Sequence, residues 1–94
     1  MAHKAIFLDR DGVINLDRGY IYKSEDIEFM NGIFDLLEYA ESKGFILIII
    51  TNQAGIARGY YSEDDFYALT NWMIKEFKDK SINIKKVFYS PFHP

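Results

Sequence analysis

Residues 6–15 read "IFLDRDGVIN". Together with Ala5, the apolar residues Ile6, Phe7 and Leu8 form a short unbroken run, the pattern of a strand covered on both faces. The run ends in Asp9, Arg10 and Asp11, followed by Gly12. Residues i and i+2 of an extended segment point to the same side, so Asp9 and Asp11 are expected to converge above the strand end, with Arg10 directed away. Two neighbouring carboxylates repel, and a proton or a cation must neutralise one of them. Mg²⁺ suits that task, since it is hard and is held by one or two carboxylates with water and phosphate completing its shell. The competing reading is a strand end that simply enters an Asp-Gly turn. These residues alone leave both readings open.

Outward from this stretch, residues 11 to about 30 are mixed and aromatic without clear period, which predicts a long loop or small hairpin. Ile33, Leu36, Leu37 and Ala40 then fall at helical spacing, with Gly44 where a C-terminal glycine cap belongs. "GFILIIIT" (44–51) is the strongest strand, β-branched and apolar on both faces, and "NQAGIARGYY" (52–61) reads as a loop with two glycines. "SEDDF" (62–66) announces a helix, with Ser62 as N-cap, Asp65 three residues on and acidic residues in the positive first turn. Phe66, Leu69, Met73 and Phe77 share one face of it, and "KKVFYS" (85–90) is a third, weaker strand.

Strand, helix, strand, helix, strand predicts an α/β fold of two βαβ units, with parallel strands and right-handed crossovers. The length is that of one domain or part of one. Ligands of open α/β sheets sit beyond the carboxyl ends of the strands, where both Asp9–Asp11 and Thr51–Asn52 fall. Thr51 could donate its hydroxyl to a phosphoryl oxygen, Asn52 and Gln53 offer amides, and the glycine loop leaves backbone N–H groups free for an anion. Equally, a threonine can end a strand and glycines can serve only to turn. Arg58 could grip phosphate bidentately but reads as a surface residue.

Composition narrows the partners. The chain has 94 residues, 49% hydrophobic and 17% aromatic, enough for a packed core and unlike a disordered tail. A net charge of −3 argues against nucleic acid or an anionic membrane surface as partner. Lys75, Lys78, Lys80, Lys85 and Lys86 make a local basic patch that reads as a solvated face. With no cysteine there is no disulfide, no thiolate nucleophile and no cysteine-based zinc site, which fits a cytoplasmic setting. "MAHKAIF" lacks the apolar centre of a signal peptide, and the longest apolar run, "FILIII" (45–50), is too short to span a bilayer.

"FLDRDGVIN" followed by "DRGY", then "TNQAGIARGYYSEDDF", resembles the haloacid dehalogenase (HAD) superfamily, within it the heptose bisphosphate phosphatase and histidinol-phosphatase branch. The resemblance runs from Ala5 to Pro94, and the "GIARGYY" loop favours the heptose bisphosphate type. It implies a Rossmann-like HAD core of which residues 1–94 are the N-terminal half of a single catalytic domain, carrying three strands and two helices. It also implies a Mg²⁺-dependent sugar-phosphate phosphatase working through an aspartyl-phosphate. Asp9 would be the nucleophile and Asp11 the general acid, then base. The Asp9 carboxylate and the Asp11 backbone carbonyl would hold Mg²⁺, and Thr51 would hold the phosphoryl group. Asp17, Arg18, Gly19 and Tyr20, with Asn52, Gln53 and Ala54, match the segments lining the substrate pocket, although Ala54 stands where the family commonly has serine.

Other features depart from that family. Its later basic residue and acidic pair follow the third strand and have no counterpart up to Pro94. "YSPFHP" (89–94) has Ser90 and Phe92 where the branch often begins a zinc loop, so no zinc is expected and His93 reads as a surface residue. The family's first strand is central, so here it is expected to leave an unpaired apolar edge, and self-association or a missing C-terminal half follows. The alternative function is a non-catalytic HAD fragment that binds Mg²⁺ and phosphate or serves as an interaction piece. A response-regulator receiver is set aside, because "FYSPF" (88–92) offers no acceptor aspartate.

Overall fold

The computed structural model describes residues 4–92. Its elements are β1 (Lys4–Asp9), α1 (Ile33–Ser42), β2 (Phe45–Asn52), α2 (Ala54–Ala57), α3 (Glu63–Asp79) and β3 (Ile84–Ser90), with one 3-10 turn at Ser24–Asp26. His93 lies outside the described residues. The strands are parallel in the order β1-β2-β3, so β2 is central and β1 is an edge. Thus the α/β sheet with two βαβ units is as expected.

Side-chain alternation assigns the two faces. Leu8, Leu47, Ile49 and Ile84 point into one core with Ile33, Leu37 and Ala40 of α1 and Met73 and Phe77 of α3. Both helices therefore cover the same face, which is what right-handed crossovers progressing in one direction across a sheet produce. A register shift of β3 against Leu47 and Ile48 pairs Leu47 with Ile84 and Ile48 with Lys86. The extra residue lets Ile84 and Val87 both meet the helices although they are three apart.

The other face is open, which corrects the expectation of strands covered on both sides. Phe7 is 58% exposed, and Ile50 and Phe88 are exposed with it. The pairing aligns Phe7 with Ile48 and Asp9 with Ile50, which in turn pairs with Phe88. Among the described residues no helix lies there, because this stretch of chain supplies one helical layer. Leu36 is also outside the core, 53% exposed, since the buried stripe of α1 is Ile33, Leu37 and Ala40.

Local chemistry sets the helix ends. Gly44 adopts φ 87° just past α1, a conformation that glycine reaches without steric cost. Ser62 and Asp65 form a capping box, with Asp65 N donating to Ser62 Oγ at 3.1 Å and Ser62 N donating to Asp65 Oδ2 at 3.0 Å. All four expected apolar positions of α3 are buried. Ser62→Ala is expected to cost about 1 kcal/mol of stability in urea denaturation, because the Asp65 N–H loses its side-chain acceptor. The 11–30 segment is hairpin-like, with Leu16 N donating to Glu28 O at 2.8 Å and Met30 N donating to Ile14 O at 2.8 Å. It drops Ile14 into the core.

Candidate active site

Parallel strands deliver their carboxyl ends to one edge, and Asp9, Thr51–Asn52 and Ser90 stand along it. Asp9 ends β1 exposed, and no hydrogen bond to its carboxylate is formed among the described residues. It lines an open recess of about 600 Å³ with Thr51, Asn52, Tyr89 and Ser90, floored by Ile50 and Phe88. Tyr89 forms one wall: its hydroxyl donates to the Glu63 carboxylate and lies 2.5 Å from that of Tyr67. Those bonds, Glu63's foremost, hold its phenol well above the ordinary pKa.

Asp11 faces a second recess of about 340 Å³, lined also by Asp17, Gly19, Tyr20, Asn52, Gln53 and Ala54. Asn52 belongs to both recesses and joins them. Arg18 lines neither; its guanidinium pairs with Glu28. Asp17 turns one oxygen back to Gly19 N at 3.0 Å, which braces the tight Gly19–Tyr20 corner, where both residues have positive φ. Arg58 is exposed in the turn after α2.

Arg10 is not directed away. It is 3% exposed, and its Nε and Nη2 donate to the two oxygens of Asp11 at 3.0 and 3.1 Å. Nη2 also donates to Ile21 O at 3.3 Å, while Nη1 is buried without a partner among the described residues. Asn15 Nδ2 adds a third bond to Asp11, at 3.0 Å to Oδ1. A two-pronged guanidinium grip fixes both the place and the plane of a carboxylate. Asp9 and Asp11 thus differ sharply: one is free at the recess mouth, the other is clamped by three donors.

The glycine loop is partly helical, since residues 54–57 make the single turn α2. Gly55 is buried there, and a Cβ on it would collide with the rings of Tyr61 and Tyr20. Tyr61, which sequence reading passes over, is buried and donates its hydroxyl to Gln53 Oε1. Gln53 is 2% exposed, and its Nε2 donates to Thr51 Oγ at 2.8 Å. The only sequence signal for Tyr61 is its place directly before the helix cap at Ser62.

The described residues contain no group of three or more His, Cys, Asp or Glu side chains able to hold a metal. Two oxygens at the edge are nevertheless open. The Asp9 carboxylate accepts no hydrogen bond, and the Asp11 backbone carbonyl accepts none from the backbone, among the described residues. One carboxylate and one carbonyl, with water and phosphate completing the shell, are the kinds of donor that Mg²⁺ takes. No helix among the described residues is long and apolar enough to cross a membrane.

No family model matches the chain. It is 54% identical over 91 residues to the D-glycero-alpha-D-manno-heptose-1,7-bisphosphate 7-phosphatase of Campylobacter jejuni, covering 97% of this chain and 53% of that protein. Its fold matches the crystal structure of D,D-heptose 1,7-bisphosphate phosphatase from B. bronchiseptica complexed with magnesium and phosphate. That match has a TM-score of 0.88 at 26% identity, over 97% of this chain and 51% of the other. A Mesorhizobium loti protein assigned to the HAD-like phosphatases matches with a TM-score of 0.88 at 30% identity, over 97% of this chain and 44% of that one. The chain spans about half the length of the curated relatives it matches. By sequence and by fold, the chain is similar to the N-terminal half of heptose bisphosphate phosphatases and of a HAD-like phosphatase.

Proposed function

We propose that residues 1–94 are the N-terminal half of a single HAD-like catalytic domain. Its reaction is Mg²⁺-dependent hydrolysis of a sugar phosphate, D-glycero-D-manno-heptose 1,7-bisphosphate losing its 7-phosphate. The observation that carries the reading is the Asp9 carboxylate, without a protein partner among the described residues and sharing an open recess with Thr51 and Asn52. A nucleophilic carboxylate must be unencumbered on the side from which phosphorus approaches.

In this mechanism an Asp9 oxygen forms a bond to phosphorus as the bond to the sugar oxygen breaks. Asp11 gives a proton to that leaving oxygen, a step that first requires its carboxyl to come free of the Arg10 guanidinium, which as it stands holds the ionised form. The aspartyl-phosphate is then attacked at phosphorus by water, whose proton passes to Asp11, and inorganic phosphate leaves with Asp9 restored. Thr51 donates its hydroxyl to a non-bridging phosphoryl oxygen, and the Asn52 amide stands beside it. Asp17, Gly19, Tyr20 and Ala54 line the recess for the sugar. Arg10 and Asn15 orient Asp11. Mg²⁺, when held by the Asp9 carboxylate and the Asp11 carbonyl, offsets the repulsion between the carboxylate and the anionic ester.

The test is phosphate release by the full-length protein from the α and β anomers of the heptose bisphosphate and from histidinol phosphate. The heptose bisphosphate is expected to be preferred in kcat/KM by at least about 100-fold, with release lost on chelation by EDTA. Equal use of histidinol phosphate, or release that survives EDTA, contradicts the reading.

A further inference from the structure

We propose that Gln53 and Tyr61 are positioning residues that set the direction in which the Thr51 hydroxyl proton points; the proposal rests on Thr51 holding the phosphoryl group. Tyr61, Gln53 and Thr51 form a buried line behind the recess. Tyr61 O–H donates to Gln53 Oε1, and Gln53 Nε2 donates to Thr51 Oγ at 2.8 Å. A threonine hydroxyl has one proton and two lone pairs. With one lone pair taken by the Gln53 amide, the proton of Thr51 must turn elsewhere, and Thr51 is among the residues lining the recess that holds Asp9. The hydroxyl thereby becomes an oriented donor before any anion arrives, which is the form of electrostatic assistance that needs no rearrangement during reaction.

The polarity of this line follows from its inner end. If the Gln53 amide were turned over, its oxygen would face Thr51 and draw the hydroxyl proton inward. The Tyr61 oxygen would then have to accept from the amide, and its own proton would have no protein acceptor among the described residues, because Gln53 is its one hydrogen-bond partner there. A buried unpaired donor is unfavourable, so the tyrosine latches the amide with its nitrogen toward Thr51. Burial also pushes the Tyr61 phenol above its ordinary pKa, further favouring the protonated form it already has at neutral pH. The ring is fixed by stacking on Tyr22, with centroids 5.4 Å apart, and by the missing Cβ of Gly55 beneath it. Gln53 also anchors its backbone, donating N–H to Ser90 O at 2.8 Å. Its amide is committed to the line rather than to the sugar.

A double-mutant cycle of Tyr61→Phe and Thr51→Val in the full-length protein tests this, read by kcat, KM, affinity for inorganic phosphate and melting temperature. Tyr61→Phe is expected to lower kcat about tenfold with KM within about twofold, a part of the 10²–10³-fold that loss of one oriented donor costs. In the Thr51→Val background the same change is expected to alter kcat by less than about twofold, because the tyrosine acts only through the hydroxyl. Phosphate affinity is expected to follow the same pattern. A loss of equal factor in both backgrounds, or no loss in either, overturns the proposal. Should Tyr61→Phe melt below the assay temperature, Gln53→Met in the same cycle gives the same reading. Absence of ester hydrolysis in the unmutated protein would defeat the phosphatase reading alone. The phosphate-affinity cycle then decides the positioning role, which an unchanged affinity on Tyr61→Phe overturns.

Discussion

Replacing Asp9 with asparagine is expected to lower kcat for phosphate release by about 10⁴-fold or more, with little change in stability. The substitution keeps the size of the side chain but gives phosphorus no anionic oxygen to bond, so no aspartyl-phosphate forms. Asp9 stands exposed at the end of β1, and its carboxylate has no protein partner among the described residues, so folding loses nothing when its charge goes. The backbone still pairs opposite Ile50. A surface change without lost contacts lies within about 0.5 kcal/mol. Phosphate release and thermal melting on the same sample give both numbers. Release within tenfold of the unmutated rate removes Asp9 as nucleophile.

How far this site could be read from sequence differs from residue to residue. The cap and buried stripe of α3 are local: Ser62, Asp65, Phe66, Leu69, Met73 and Phe77 carry them in their spacing, and the helix has both. The parallel sheet is nearly as legible, since apolar runs separated by helices leave few topologies. Arg10 is not legible. Alternation holds only while the strand lasts, and β1 ends at Asp9; Arg10 opens a turn in which its carbonyl accepts from Val13, Ile14 and Asn15, and from there its guanidinium grips Asp11. Tyr61 sits in a stretch with no period, and only the turn α2, with Gly55 clearing space, brings its hydroxyl onto Gln53. Four helical residues are too few to show a period, so α2 itself reads as loop.

The open sheet face is missed for a broader reason. A strand apolar on both sides shows that it can be covered twice, not that its own stretch of chain supplies both covers. Two crossovers of one hand, progressing in one direction, supply one layer, and Phe7, Ile50 and Phe88 are left exposed opposite it. Asp9 belongs to that same row through its pairing with Ile50. The nucleophile candidate therefore stands at the border between the open face and the strand-end recess, while Asp11 is enclosed by the loop that follows β1.

Truncating Phe77 to alanine is expected to destabilise the protein by about 4 kcal/mol. Phe77 is among the largest fully buried side chains, and its ring meets Phe29 at 5.5 Å and Phe34 at 5.3 Å between centroids. Those rings come from the loop after β1 and from α1, so this one side chain of α3 joins three segments that are distant in sequence. Domains of this size have about 5–15 kcal/mol in total, so the loss consumes a large share. Trp72, the chain's one tryptophan, stacks on Phe29 with centroids 5.9 Å apart and reports the transition by fluorescence in urea. Leu36→Ala, at a half-exposed position of α1, is the matched control and should cost no more than about 1 kcal/mol. A Phe77→Ala loss below about 1 kcal/mol would show that the aromatic cluster does not join the segments as its geometry requires. The same variant separates scaffold from chemistry: Phe77 touches neither recess, so molecules that remain folded should turn over within about twofold of the unmutated rate, whereas Asp9→Asn leaves the fold and removes the turnover.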